Sequence, residues 1–435
     1  MKLRSIAASF CLVLACSSSS APTSERATLP VVEQAAAPAD DATRIATWRA
    51  EGPAALERLL ADYDQLTPGV DRVRMAATID KVAGQRYATW SRLYWYDDLG
   101  AAKAAARASG KPILSLRMLG RLDEDLSCAN SRFFRTTLYP DAAVAKLLRE
   151  EFVLHVSSER DVPRITVDYG DGRTLQSTIT GNSAHYILDA EGRPLDVLPG
   201  LYSPQVFRQE LGATLAMYGA IKGTVGRERD AALLAYHQAA AQGAMERWQQ
   251  MPLAQGDNGK IRWLSKDEIG KRRVAAAVAA QRVTVSKAMV EVPMMRTVDL
   301  GVDPGTIPDD TGLWVDIYNE MWKAKGRRVL DNNARALVDS MLTVDRDARA
   351  RILVGLEKTI AADTAINESR LRPQIRAYFV QQLAGGAAAP GFAELNTWVY
   401  ANVFHAPATD QWMGLLPTDT FTGLPGGAVI ATKAD

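Results

Sequence analysis

The sequence predicts an α/β domain followed by a mainly α-helical C-terminal region, and three observations predict it. Residues 113–118 (Ile-Leu-Ser-Leu-Arg-Met) and 152–156 have the length and apolar content of buried strands, with a long helical stretch between them. Two strand pairs follow, one turning at Tyr169-Gly170-Asp171-Gly172 and one across Asp189-Ala190-Glu191-Gly192. From Gly223 onward the apolar spacing is that of successive helices. At 435 residues the chain exceeds one ordinary core, so more than one domain is expected.

Hydrophobic residues make up 47% and charged residues 23%, the proportions of a globular protein. The 51 Lys and Arg against 50 Asp and Glu leave a formal net charge of +1. So balanced a chain has no electrostatic footprint for nucleic acid, and no nucleic-acid partner is expected.

Residues 1–15 carry Lys2 and Arg4 ahead of an apolar stretch too short to span a bilayer, the pattern of a cleaved leader. Val13-Leu14-Ala15-Cys16 resembles the lipobox of bacterial lipoproteins, in which the cysteine is acylated and becomes the first residue. The rival is an ordinary secreted protein cut near Ser20-Ala21. The lipoprotein resemblance implies a lipid-anchored protein of the cell envelope. Ser17 after the cysteine implies an outer-membrane site facing the periplasm. Acyl chains on Cys16 would hold the protein at the membrane.

Residues 16–44 are rich in Ser, Ala and Pro without apolar periodicity and are expected to form a disordered tether. Residues 45–94 form an N-terminal helical segment: Gly52-Pro53 opens a helix with Leu56, Leu59 and Leu60 on one face, and a second covers about Asp71 to Ala88. Trp90, Tyr94, Trp95 and Tyr96 are expected to make a packing seam rather than a ligand cage. Asp97 to Ser109 is helical, with Gly110 as its cap. A strand at 113–118, a loop with Asp123, Glu124 and Asp125, and a helix from Cys128 to about Glu150 follow. After the strand at 152–156 come a hairpin over Ile165 to Ile179, strands at 185–188 and 195–198, and a helix opened by Ser203-Pro204. Residues 221–435 are expected to be mainly helical, over 226–251, 266–290, 313–325, 334–342, 347–362, 370–383 and 391–403.

Gly110-Lys111-Pro112 before the strand, Cys128-Ala129-Asn130-Ser131 opening the helix, the run Val144, Leu147, Leu148, Phe152, Val153, and Tyr186 to Pro194 together resemble the thioredoxin-like family in a C-x-x-S variant. The resemblance covers residues 95–220 and implies a thioredoxin-like α/β domain with Cys128 as nucleophile and Ser131 in support. The chain departs from the family at Ser131, where a second cysteine would stand. It departs again at Asn182-Ser183-Ala184, which lacks the family's proline.

Cys11 leaves with the leader and Cys16 would be acylated, so Cys128 remains the one free thiol. A thiol at a helix N-terminus feels the positive end of the helix, which favours thiolate; Arg132 and Arg135 would help and Asp123, Glu124 and Asp125 would oppose. Without a resolving cysteine, chemistry at Cys128 follows a monothiol route: thiolate attack on a disulfide, a mixed disulfide, and release by an external thiol. Two functions stand side by side. One is a thiol-disulfide oxidoreductase or isomerase acting on envelope protein thiols and disulfides. The other is a non-catalytic adaptor that binds an envelope protein partner. His155 and His185 are expected to be ordinary, partly buried histidines, and Asp168 and Asp171 turn formers. Gly181 to His185 lacks the final glycine of a serine nucleophile elbow. No metal and no cofactor are expected.

Overall fold

The computed structural model describes residues 39–178, 182–251, 253–255, 261–263 and 311–409. Among the described residues helices α1 (Ala39–Glu51), α2 (Pro53–Gln65) and α3 (Val70–Ala83) come first, and α1 takes in residues 39–44, which were expected to belong to a disordered tether; the rest of that tether lies outside the described residues. Leu56, Leu59 and Leu60 of α2 pack with Ile79 and Val82 of α3 in a small core of their own. Helix α3 ends earlier than the pattern predicts because Gly84 adopts φ 70°, the left-handed conformation that stops a helix. After the single turn α4 (Ala88–Ser91), α5 (Leu99–Ser109) starts at Asp98, whose carboxylate accepts the N–H groups of Gly100 and Ala101. Gly110, at φ 68°, ends it as expected.

Strand β1 (Ile113–Met118) leads through a loop to α6 (Ala129–Phe133), which runs on into a π-helical turn, Phe134–Leu138. A separate helix, α7 (Ala142–Glu151), follows. The single helix expected from Cys128 to about Glu150 is therefore two. Pro140 has no N–H to continue the first, and Asp141 caps the second by accepting from Ala143 and Val144. Strand β2 (Val153–Ser158) precedes the hairpin of β3 (Arg164–Asp168) and β4 (Thr174–Thr178), which turns where Asp171-Gly172 predicts. Asp168 and Asp171 are turn formers, accepting the N–H groups of Gly170 and Arg173.

Strands β5 (Ala184–Leu188) and β6 (Pro194–Pro199) complete a four-stranded sheet of order β2-β1-β5-β6. β1 runs parallel to β2 and antiparallel to β5, and β5 runs antiparallel to β6. β5 and β6 are buried throughout, which is why both read as apolar runs rather than as alternating patterns. α8 (Pro204–Ile221) and α9 (Gly226–Gln250) follow, then a short antiparallel pair that the sequence reading did not foresee, β7 (Leu253–Gln255) with β8 (Ile261–Trp263).

The C-terminal region contains α10 (Thr311–Trp322), α11 (Asn332–Met341), α12 (Arg346–Ile366), α13 (Arg372–Ala384) and α14 (Phe392–Trp398). A π-helical turn, Asn367–Leu371, joins α12 to α13, and a second, Val399–Val403, follows α14. The expected helix at 266–290 lies outside the described residues. By compactness the chain divides into Met1–Ala42 and Thr43–Asp435. Among the described residues no helix is long and apolar enough to cross a membrane.

Within the larger unit the helical region shares one apolar core with the sheet. Arg372 on α13 is fully buried and reaches Asp196 of β6 at 2.6 Å, Glu210 of α8 at 2.5 Å and Glu368 at 2.9 Å. Tyr202 donates to Glu368 at 2.9 Å, Ser203 N–H to Thr364 Oγ1 at 2.7 Å, and Tyr318 to Ser203 Oγ at 3.0 Å. At Gly200, φ is 74° and an added Cβ would lie 2.8 Å from the amide of Asn367, so only glycine admits this close approach.

Candidate functional site

Cys128 stands where the chain leaves the loop after β1 and enters α6. Its N–H donates to the Leu119 carbonyl at 3.2 Å and its own carbonyl accepts from Arg132 at 3.2 Å, so the backbone fixes it as the helix N-cap. The side chain is 0% exposed. Burial first, with the neighbouring thiol as a further cause, pushes the Tyr139 phenol well above its usual range. Tyr400 is pushed up likewise, by burial and then by Glu159, Tyr186 and Cys128. Tyr400 belongs to the π-helical turn after α14, and its hydroxyl donates to the Asn182 carbonyl at 3.3 Å.

Ser131 is fully buried beside Cys128. Its hydroxyl is directed to Ser127 Oγ at 2.6 Å and to the Cys128 carbonyl at 2.9 Å rather than to the sulfur. Arg135 likewise turns to the loop. Its guanidinium donates to the carbonyls of Leu122, Glu124 and Asp125 and to Ser127 Oγ. Burial pulls that guanidinium down to about 10. The three loop acids are not set against the thiol. Burial would raise Asp123, but Arg121 and Lys81 hold its carboxyl below the usual range. Asp125 pairs with Arg86 at 3.0 Å, and Glu124 with Arg121 at 3.3 Å.

On the facing side, Thr178 Oγ1 donates to the Ser127 carbonyl at 2.9 Å. Asn182, Ser183 and Tyr186 are buried, and Asn182 Nδ2, Ser183 Oγ and the Tyr186 hydroxyl have no hydrogen-bond partner among the described residues. Unpaired groups of this kind cost about 1–3 kcal/mol each when buried. No cis peptide bond occurs among the described residues, the bond before Ser183 included.

His155 and His185 are both buried more completely than expected, and the sheet keeps them apart. His155 aligns with Ser115 and His185 with Leu116, so the two side chains leave the sheet on opposite faces. His155 Nδ1 lies 2.7 Å from Ser115 Oγ, and burial lowers its pKa to about 4. His185 Nε2 lies 2.8 Å from the Tyr139 hydroxyl, and burial lowers its pKa to about 3. Among the described residues no three His, Cys, Asp or Glu side chains converge in a way that could hold a metal ion.

No family model and no curated protein matches the chain.

Of the predicted site residues, Cys128 and Ser131 are adjacent, and Cys16 lies outside the described residues. Sequence reasoning missed Tyr139, Tyr400 and Ser127. Tyr139 carried a usable signal, standing just before the helix-breaking Pro140. Tyr400 carried none, because its contact with Asn182 spans 218 residues of sequence. Of the expected aromatic seam, Trp95 is fully buried, donates to Gln85 Oε1 at 2.7 Å and packs on Tyr139 with ring centroids 5.1 Å apart, whereas Tyr94 and Tyr96 line a groove.

Proposed function

We propose that this chain is a thioredoxin-like protein of the cell envelope, lipid-anchored through Cys16, that acts by binding a partner protein rather than by thiol chemistry. The fold half of the reading is supported by a β1-helix-β2 unit with parallel strands, followed by antiparallel β5 and β6 and the closing helix α8, in the order β2-β1-β5-β6. The anchor rests on the lipobox-like residues 13–16.

The observation that carries the non-catalytic reading is the complete burial of Cys128 in an apolar core that the sheet shares with the C-terminal helices. Disulfide exchange requires a thiolate with free access to a disulfide sulfur. Here Cys128 has no exposed surface for a substrate to approach, and the Ser131 hydroxyl serves the backbone. Cys128 is then a small apolar side chain kept for packing.

A monothiol oxidoreductase is the second reading. The unpartnered Asn182, Ser183 and Tyr186 groups near Tyr400 favour it, since they could receive a substrate if the C-terminal helices withdrew. Incubating the folded protein with excess glutathione disulfide and weighing the Cys128 peptide separates the two. The binding reading expects no glutathione adduct in the native state. An adduct that forms at the rate of a free thiol overturns it.

A further inference from the structure

A groove borders the end of β1 and β2 remote from Cys128. That end is one strand length away, about 16 Å at ~3.3 Å per residue. It lies between α2 on one side and α5, α7 and the start of β2 on the other, and is open to solvent along its length, with a volume of about 870 Å³. Small-molecule sites span roughly 300–1,000 Å³. The floor is apolar: Leu56, Leu60, Tyr94 and Phe152 are buried, yet each lines the groove. Tyr94 and Tyr96 form one wall, their rings meeting edge to face at 5.0 Å.

One rim is cationic. Arg92, Lys111 and Arg149 stand along it. Arg92 is paired with Asp64. Arg149 donates to the Ser91 carbonyl at 3.0 Å and Lys111 to the Arg149 carbonyl at 3.1 Å. Among the described residues neither Lys111 nor Arg149 meets a carboxylate at ion-pair distance. Burial and then the adjacent Arg92 pull the Arg149 guanidinium below its usual range, against the pull of Glu150. Glu57 and Asp64 line the α2 side of the groove, Asp64 being the partner of Arg92, so Lys111 and Arg149 are the cations left for a ligand on this rim.

The geometry points to a binding site for a long-chain carboxylate, its head held between Arg149 and Lys111 and its hydrocarbon laid over Leu56, Leu60 and Tyr94. A cationic rim selects the charged head and the apolar floor takes the chain; neither feature depends on Cys128. The site is thus independent of the function proposed above.

The test is displacement of dansyl-undecanoate from the full chain, followed by fluorescence, with dodecanoate and the uncharged dodecanol as competitors. Dodecanoate is expected to displace the probe at concentrations about tenfold lower than dodecanol, as a charge-assisted hydrogen bond predicts. Arg149→Gln combined with Lys111→Gln removes that advantage, while Arg149→Lys keeps most of it. Ala61→Trp, at an exposed position lining the groove, abolishes displacement by both competitors while leaving the fold intact by circular dichroism. Absence of saturable binding overturns the site, as does equal displacement by the acid and the alcohol, or binding unaltered in the Ala61→Trp chain.

Discussion

Arg372 and Asp196 stand 176 residues apart in sequence and meet at 2.6 Å with neither side chain exposed. The pair ties α13 to the edge strand β6, and Glu210 and Glu368 complete a buried cluster around the guanidinium. Burial alone would raise the Asp196 carboxyl, but Arg372 holds it well below the usual carboxylate range. Removing one member leaves an uncompensated buried charge. Arg372→Leu is therefore expected to cost about 3–5 kcal/mol in urea denaturation. A loss within experimental error would show that the helical region is held by its apolar contacts alone.

Asp363 on α12 presents the opposite case. Burial raises its pKa from 3.8 to about 8, and its Oδ1 has no hydrogen-bond partner among the described residues. The folded state holds the proton that the unfolded state releases above 3.8. The contribution to stability is thus full below that value and is lost as pH rises toward 8. Asp363→Asn removes the titration. The stability of the variant relative to the native chain should increase between pH 4 and pH 8, by about 1.4 kcal/mol per pH unit at most. A pH-independent difference would place a neutralising partner beside the carboxyl.

On the acid side His155, His185 and His237 act together. Burial depresses their folded pKa values from 6.5 to about 4, about 3 and about 4. The unfolded chain binds their protons first, so stability present above 6.5 is lost as pH falls toward those lower values. His185→Leu should flatten the fall in urea midpoint between pH 6.5 and 4; an unchanged pH profile would contradict the burial of a neutral imidazole.

Asp331 caps two helices at once, accepting from Ala334 N–H of α11 at 2.8 Å and from Ala142 N–H of α7 at 2.9 Å. Asp331→Ala should lower stability by about 1–2 kcal/mol, the upper part of the range for a lost N-cap. Asp331→Asn keeps one acceptor oxygen and sets an amide N–H where the other stood, so it should recover only one of the two caps, about half of the loss, and thermal melts of both chains check the pair.

Much of the fold was legible because local chemistry agreed with it. Residues 113–118 form the strand that their apolar run predicts, Gly110 and Asp171-Gly172 turn the chain where expected, and Ser203-Pro204 opens α8. The break at Pro140 was also legible, and the helical periodicity on either side obscured it. What the sequence hid is long-range. Nothing near Tyr400 marks it as a partner of Asn182, and nothing near Arg372 pairs it with Asp196. Such contacts are chosen by packing, which leaves no periodic trace. Cys128 and Ser131 were found from their motif, but the direction of the Ser131 hydroxyl, toward Ser127 and a backbone carbonyl, depends on a loop held by Arg135.

The most direct measurement is the rate of Cys128 alkylation by iodoacetamide in the full chain, read by mass on the Cys128 peptide across a urea series. Complete burial of the thiol predicts negligible labelling in water and a rate that rises in step with unfolding, with Ser131→Ala shifting only the unfolding midpoint. Labelling of the native protein at the rate of an exposed thiol, independent of urea below the transition, would contradict the account and return Cys128 to the list of catalytic groups.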